Sequence, residues 1–167
     1  MIEAQTERYT KLAKQGAAWW RQQLEQPEFD NGDRSHTGVM GRGLAAMLAK
    51  QDAATAEQLD VFEQELSKII LGWLLEDPCP KELSTTRPYY CDTEEEWQQI
   101  LASPRRKQCL GTDYGPDGYF IPALEASGVS PNIFPWKTLM WVNWDDRPEC
   151  CYIEVRAGRQ TQRLPPL

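Results

Sequence analysis

Between Glu3 and Leu24 the residues Tyr9, Leu12, Ala13, Gly16, Trp20 and Leu24 recur at intervals of three and four, with Arg8, Lys11, Lys14 and Arg21 between them. This spacing predicts an amphipathic helix that Pro27 ends. At about 100° per residue, Trp20 lies on the centre of the stripe and Trp19 on its flank, so the two neighbours are expected to differ in burial. The segment EFDNGDRSHTG, residues 28–38, is loop chemistry, with Asn-Gly for a left-handed turn and Asp33 or Ser35 to cap a helix after it. That helix is short, its apolar positions Val39, Met40, Leu44, Met47 and Leu48. Gly41 and Gly43 each cost it about 1 kcal/mol against Ala and leave room for a close helix contact. The strongest stripe is Leu59, Phe62, Leu66, Ile69, Ile70 and Trp73, after the Thr55 and Gln58 capping box. It predicts a helix over about 56–76, stopped by DPCP at 77–80.

The second half is more broken. TRPYYC reads as extended chain, and Asp92 with Glu95 opens a helix through EEEWQQILA that ends at Pro104. CLGTDYGPDGYF reads as a structured loop, and ALEASG as a helical turn with Gly128 as its C-terminal cap. The segment FPWKTLMWVNWDDRPECCYIEV, residues 134–155, predicts a β-hairpin with Asp145 to Pro148 as its connection. That connection pairs Val142 with Cys151 and Met140 with Ile153 on a core face shared with Val155. On the other face it sets Trp141 opposite Tyr152, Asn143 opposite Cys150 and Leu139 opposite Glu154. Trp20, Trp73 and Trp97 lie on helical stripes and read as core, whereas Trp19, Trp141 and Trp144 are open between core and surface. The expected architecture is α+β, about four helices packed on a small antiparallel sheet that contains the C-terminal hairpin. One globular domain is expected over 1–157, with 158–167 an extended or poorly ordered tail.

Composition narrows the function classes. At 167 residues and 41% hydrophobic content the chain fits one soluble domain, and no run reaches the length of a membrane span. The start, MIEAQTERYTKLAK, lacks a basic and apolar leader, and five cysteines are an odd number, so reduced thiols in a cytoplasm are expected. The net charge of −7 argues against general affinity for nucleic acid. It is unevenly placed, with −8 over residues 1–101 and +1 over 102–167.

Chemical signatures are sparse. There is no CxxC and only one histidine, His36, so a zinc site is not expected, and Asp30, Asn31 and Asp33 are too few for calcium. Neither a phosphate-cradling glycine loop nor a catalytic motif is present, and no cofactor is implied. Two sets of residues leave other functions open. Asp113 and Asp117, with Glu125, could serve an enzyme built on the 112–118 loop. Arg105, Arg106, Lys107, Arg156, Arg159 and Arg163 could form a basic edge for RNA beside Trp141 and Tyr152.

The Trp19-Trp20 helix, the FDNGD loop, TDYGPDG and FPWKTLMWV together resemble a set of small proteins carried by bacterial phages and prophages. The resemblance implies a context, that of accessory proteins which inhibit or modulate host systems, and it implies no catalytic residues. The expected function is therefore a non-enzymatic protein-binding module, an inhibitor of a bacterial defence complex in the manner of an anti-CRISPR protein, acting by occlusion. Trp141, Trp144 and Tyr152 are the expected anchors. Glu94, Glu95 and Asp145 are expected at the rim, facing a partner with a basic surface.

Overall fold

A computed structural model describes residues 2–76, 93–102 and 106–166. Five helices lie in chain order: α1 (Ile2–Glu25), α2 (His36–Gln51), α3 (Ala56–Leu75), α4 (Glu94–Ala102) and α5 (Ile121–Ser127). Four strands form one antiparallel meander: β1 (Arg106–Gly111), β2 (Thr138–Trp144), β3 (Tyr152–Ala157) and β4 (Gln160–Arg163). The α+β architecture is as expected, and no described helix is long and apolar enough to cross a membrane. The expected stop at DPCP and the extended TRPYYC fall outside the described residues.

The periodic stripes become helices because each buries its apolar face. Tyr9, Leu12, Ala13, Trp20 and Leu24 of α1 are buried, and so are Leu59, Phe62, Leu66, Ile70 and Leu74 of α3. The two helices pack side by side. At Gly16 a side chain would meet Ile70 of α3 and Ile153 and Met140 of the sheet at 3.1–3.3 Å, so glycine lets α1 sit against both. Thr55 and Gln58 form the predicted capping box, and Gly128 closes α5 with φ 69°. Trp20, Phe62, Phe120 and Phe134 make an aromatic cluster at the centre, with Trp20 edge-on to Phe120 at 4.8 Å and Phe120 edge-on to Phe134 at 5.0 Å. Trp19 is buried as well, edge-on to Trp20, so the expected difference between the pair is small. Trp73 and Trp97 are half-buried.

The hairpin forms in a different register. Val142 pairs with Ile153, Met140 with Val155, Trp141 with Glu154, Asn143 with Tyr152 and Leu139 with Arg156, two residues on from the expected partners. The cause is a longer connection. Asp145 accepts a hydrogen bond from the Arg147 N–H at 2.7 Å, and Pro148–Cys150 then forms a 3₁₀ turn that a four-residue loop cannot contain. A shift of two keeps every side chain on its face, so Met140, Val142, Ile153 and Val155 are all core, at 1% exposure or less. Cys151 leaves the strand and is half-buried, its thiol donating to the Asp145 and Arg147 carbonyls, while the buried Cys150 thiol donates to the Ala102 carbonyl.

Two strands escape the periodic reading. Arg106–Gly111, expected as the approach to a loop, is β1 and pairs with β2. In the segment expected as a tail, Gln160–Arg163 pairs with β3, and Leu164 donates its N–H to the Ile153 carbonyl at 2.9 Å. The sheet therefore takes in residues beyond 157.

Candidate functional site: the outer face of the sheet

Alternation along the strands divides the sheet into two faces. Leu110, Met140, Val142, Ile153 and Val155 face α1 and α3 and are fully enclosed. The outer face carries Lys107 and Cys109 of β1, Leu139, Trp141 and Asn143 of β2, Tyr152, Glu154 and Arg156 of β3, and Thr161 and Arg163 of β4. The pairings set these in rows across the sheet: Cys109, Trp141, Glu154 and Arg163 in one, and Lys107, Asn143 and Tyr152 in the next.

Each exposed ring of this face lies under a cation. The Lys107 ammonium is 5.2 Å from the Trp141 ring centre and the Arg156 guanidinium 5.8 Å from it. The Arg163 guanidinium stacks on Tyr152 at 3.7 Å. Glu154 sits between them, 3.6 Å from the Lys107 ammonium and 3.4 Å from the Asn143 amide. Partial burial, and then the neighbouring Glu154 carboxylate, push the Tyr152 phenol above its ordinary range, so it stays neutral at physiological pH.

The expected anchors separate. Trp141 and Tyr152 are half-buried and reach solvent from the outer face. Trp144 is only 5% exposed, because it shares the inward parity of Met140 and Val142, and it is therefore core rather than anchor. Asp145, 3% exposed, also leaves the rim: its carboxylate is enclosed and paired with the Arg147 guanidinium at 2.6 Å. Glu94 and Glu95 are exposed in the first turn of α4, whereas the charges around Trp141 are those of Lys107 and Arg156, with the single carboxylate Glu154 opposite it on β3.

Beside this face a cleft of about 580 Å³ is lined by Cys109, Asp113, Asp117, Lys137, Leu139 and Arg156. It contains both carboxylates of the enzyme reading, and both are occupied by local structure. Asp113 pairs with the Lys137 ammonium, which in turn lies 4.6 Å from the Tyr114 ring centre. Asp117 accepts from the Gly111 N–H at 2.6 Å and the Tyr119 N–H at 2.9 Å, shaping the turn into α5. Burial, and next the Asp117 charge, push the Cys109 thiol up, the reverse of what a nucleophile needs. The Asp113 hydrogen bond raises the Lys137 ammonium, holding it charged. His36 is exposed at the start of α2, and Glu125 is exposed on α5. Among the described residues, no group of three or more His, Cys, Asp or Glu side chains is placed to hold a metal ion.

The cations on the outer face were legible as a list but not as an arrangement. The signal was the alternation in RKQCLG and YIEVRA, which places Lys107 with Cys109, and Tyr152 with Arg156, on one side of each strand. Comparison of the chain with protein-family models, with curated proteins and with solved structures finds no match.

Proposed function

We propose that the protein is a non-enzymatic protein-binding module whose working surface is the outer face of the sheet, and that it acts by occluding a partner surface. One observation carries this reading: Trp141 and Tyr152, half-exposed on a rigid sheet, are each held in place by a cation. Trp, Tyr and Arg are the residue types that dominate binding energy at protein interfaces, and a ring fixed before contact loses little freedom on binding. The cations reverse the expected charge of the partner. Lys107, Arg156 and Arg163 against the single carboxylate Glu154 favour a protein that presents acidic side chains. The resemblance of the Trp19-Trp20, FDNGD, TDYGPDG and FPWKTLMWV motifs to small phage and prophage proteins would give a setting in which such occlusion inhibits a bacterial complex.

Aromatics interleaved with cations also favour RNA as a second reading. Against it, the ring faces on which bases would stack are already covered, Glu154 lies among them, and the chain carries −7 overall. Retention on heparin that falls steeply with salt would move the assignment to RNA.

The test is affinity capture from a bacterial lysate with mass spectrometry, using the wild-type chain and a folded Trp141→Ala/Tyr152→Ala variant. A partner that is captured by the first and lost by the second is expected. Its binding should also weaken at least tenfold with Arg156→Glu, since each 1.4 kcal/mol is a factor of about ten. Identical capture by all the variants would refute the role given to this face.

A further inference from the structure

Helix α2 is amphipathic the wrong way round. Its buried positions are the small residues Gly38 and Ala49, with Ala45 packed against the core beside them, whereas Val39, Met40, Leu44 and Met47 are 52–62% exposed. At about 100° per residue, the exposed set with Gly43 falls on one arc and the small set on the opposite one. The large side chains therefore point directly away from the body. They are four of the exposed large apolar residues of the described chain, gathered on two turns of one helix, and a patch of a few hundred Å² is an interaction surface by ordinary standards.

We infer that this stripe is a self-association face, on which a second copy of the chain seats its own α2 in antiparallel orientation about a two-fold axis. The first argument is self-complementarity, which a two-fold contact demands. The midpoint of His36–Gln51 falls between Gly43 and Leu44. An axis there sets Met40 against Met47 of the second copy, and Leu44 against its Gly43. Gly43, with nothing within 4 Å of where its side chain would begin, leaves the crossing point free for close approach.

The second argument is charge. The chain carries −7, yet residues 36–51 hold no Asp or Glu, so this helix meets its copy without opposing carboxylates. The antiparallel arrangement puts the two Lys50 side chains at opposite ends, about 20 Å apart at 1.5 Å per residue, beyond the screening length of about 8 Å in physiological salt. It also directs each Lys50 toward the N-terminal entrance of the other α2, where Asp33 stands exposed and Asp30 is paired with Arg34 at 2.9 Å. A parallel pair would bring the lysines together. The third argument is area. The stripe offers less than the roughly 800 Å² per partner of a standard stable interface, so the dimer is concentration-dependent and the monomer folds alone.

Sedimentation equilibrium tests this between about 10 µM and 1 mM, the range of a weak interface. The weight-average mass of the wild-type chain is expected to climb from 19.2 kDa toward twice that value. Met47→Glu is expected to hold it at the monomer mass throughout. Gly43→Leu is the sharper variant. It fills open space in the monomer and adds helix propensity, so the fold is retained, but it obstructs the crossing and should abolish the dimer. Ile121→Glu, at an exposed apolar site on α5, should leave association unchanged. A wild-type chain that stays monomeric to 1 mM overturns the inference, as does a dimer that survives Met47→Glu or strengthens with Gly43→Leu. A monomer that floats with anionic phospholipid vesicles, and loses flotation with Met47→Glu, also overturns it and assigns the stripe to a lipid surface.

Discussion

Trp141 and Trp144 stand three residues apart in one strand and have opposite roles. Parity decides it: 144 shares its side of β2 with Met140 and Val142, and 141 does not. Replacing Trp144 by Ala should cost about 3–5 kcal/mol, the range for a large core aromatic. Trp141→Ala should cost about 1–2 kcal/mol as a partly exposed site, and urea unfolding of the two variants checks the contrast. The thiols show the same dependence on surroundings. Burial first, then the charge of Asp117 for Cys109 and of Asp145 for Cys150, push both thiols above their ordinary range, so the reactive thiolate is scarce at neutral pH. Alkylation of both in the native protein is expected to be slow at pH 7 and to accelerate as pH rises past the usual thiol range, with unfolding in denaturant removing the difference. Both features were partly legible beforehand. Strand alternation put Met140 and Val142 on the core face and left Trp144 open, because where the strand ended depended on a connection longer than a minimal hairpin.

At the scale of elements, helices were read well and strands less so, for a physical reason. A helix satisfies its own backbone, and its apolar stripe must match one period, as in α1 and α3. A strand's hydrogen bonds lie on another segment, so β1 (RKQCLG) and β4 (QTQR) can be polar and still belong to a sheet. The turn into α2 yields a pH prediction. Asp30 accepts from Arg34 and the Gly32 N–H, and Asp33 accepts from the Ser35 hydroxyl and then from the Ser35 N–H, which hold both carboxylates below their ordinary range. Lowered carboxylates stabilise the fold at pH values above their unfolded range, and the contribution is lost as pH falls through their folded values. In an NMR titration the Gly32 and Ser35 amides should therefore lose their hydrogen-bonded shifts only below about pH 4, while the amides of the carboxylate-free stretch 69–74 of α3 move little. Movement of these amides at higher pH, near the histidine range, would contradict the assignment.

For the whole molecule, the aromatic cluster of Trp20, Phe62, Phe120 and Phe134 joins α1, α3 and the segment before β2 into one core. The last residues close it from the side. Beyond the β3 pairing, the Pro165 carbonyl accepts from the Gln15 side chain at 2.8 Å, so the tail ties α1 to the sheet edge. Removing residues 158–167 should lower stability by on the order of 1–3 kcal/mol through lost burial and pairing. It should also expose the β3 edge to pairing between molecules, which light scattering after mild heating would detect. A truncated chain with unchanged melting and no scattering would show the strand to be incidental. The outer face was harder to anticipate than the core, because burial is written in one segment's pattern whereas the face is assembled from four strands.

The attachment of α2 has a kinetic consequence. Its small-residue face meets the body above a cavity of about 360 Å³ lined by Leu24, Pro27, Phe29, Ala46, Leu59 and Ile133. The firm ties are at its ends: the Ser35 cap at the start, and the Asp52 carboxylate, just past the last turn, which accepts from Ser130 at 3.0 Å and Asn132 at 2.7 Å. A segment pinned at both ends and thinly packed between them opens as one cooperative unit, at a free energy below that of global unfolding. In native-state hydrogen exchange, the central amides of α2 should exchange together and earlier than those of α1 and α3. Asp52→Ala should narrow the time over which α2 alone stays protected and leave the slowest-exchanging core amides almost unaltered.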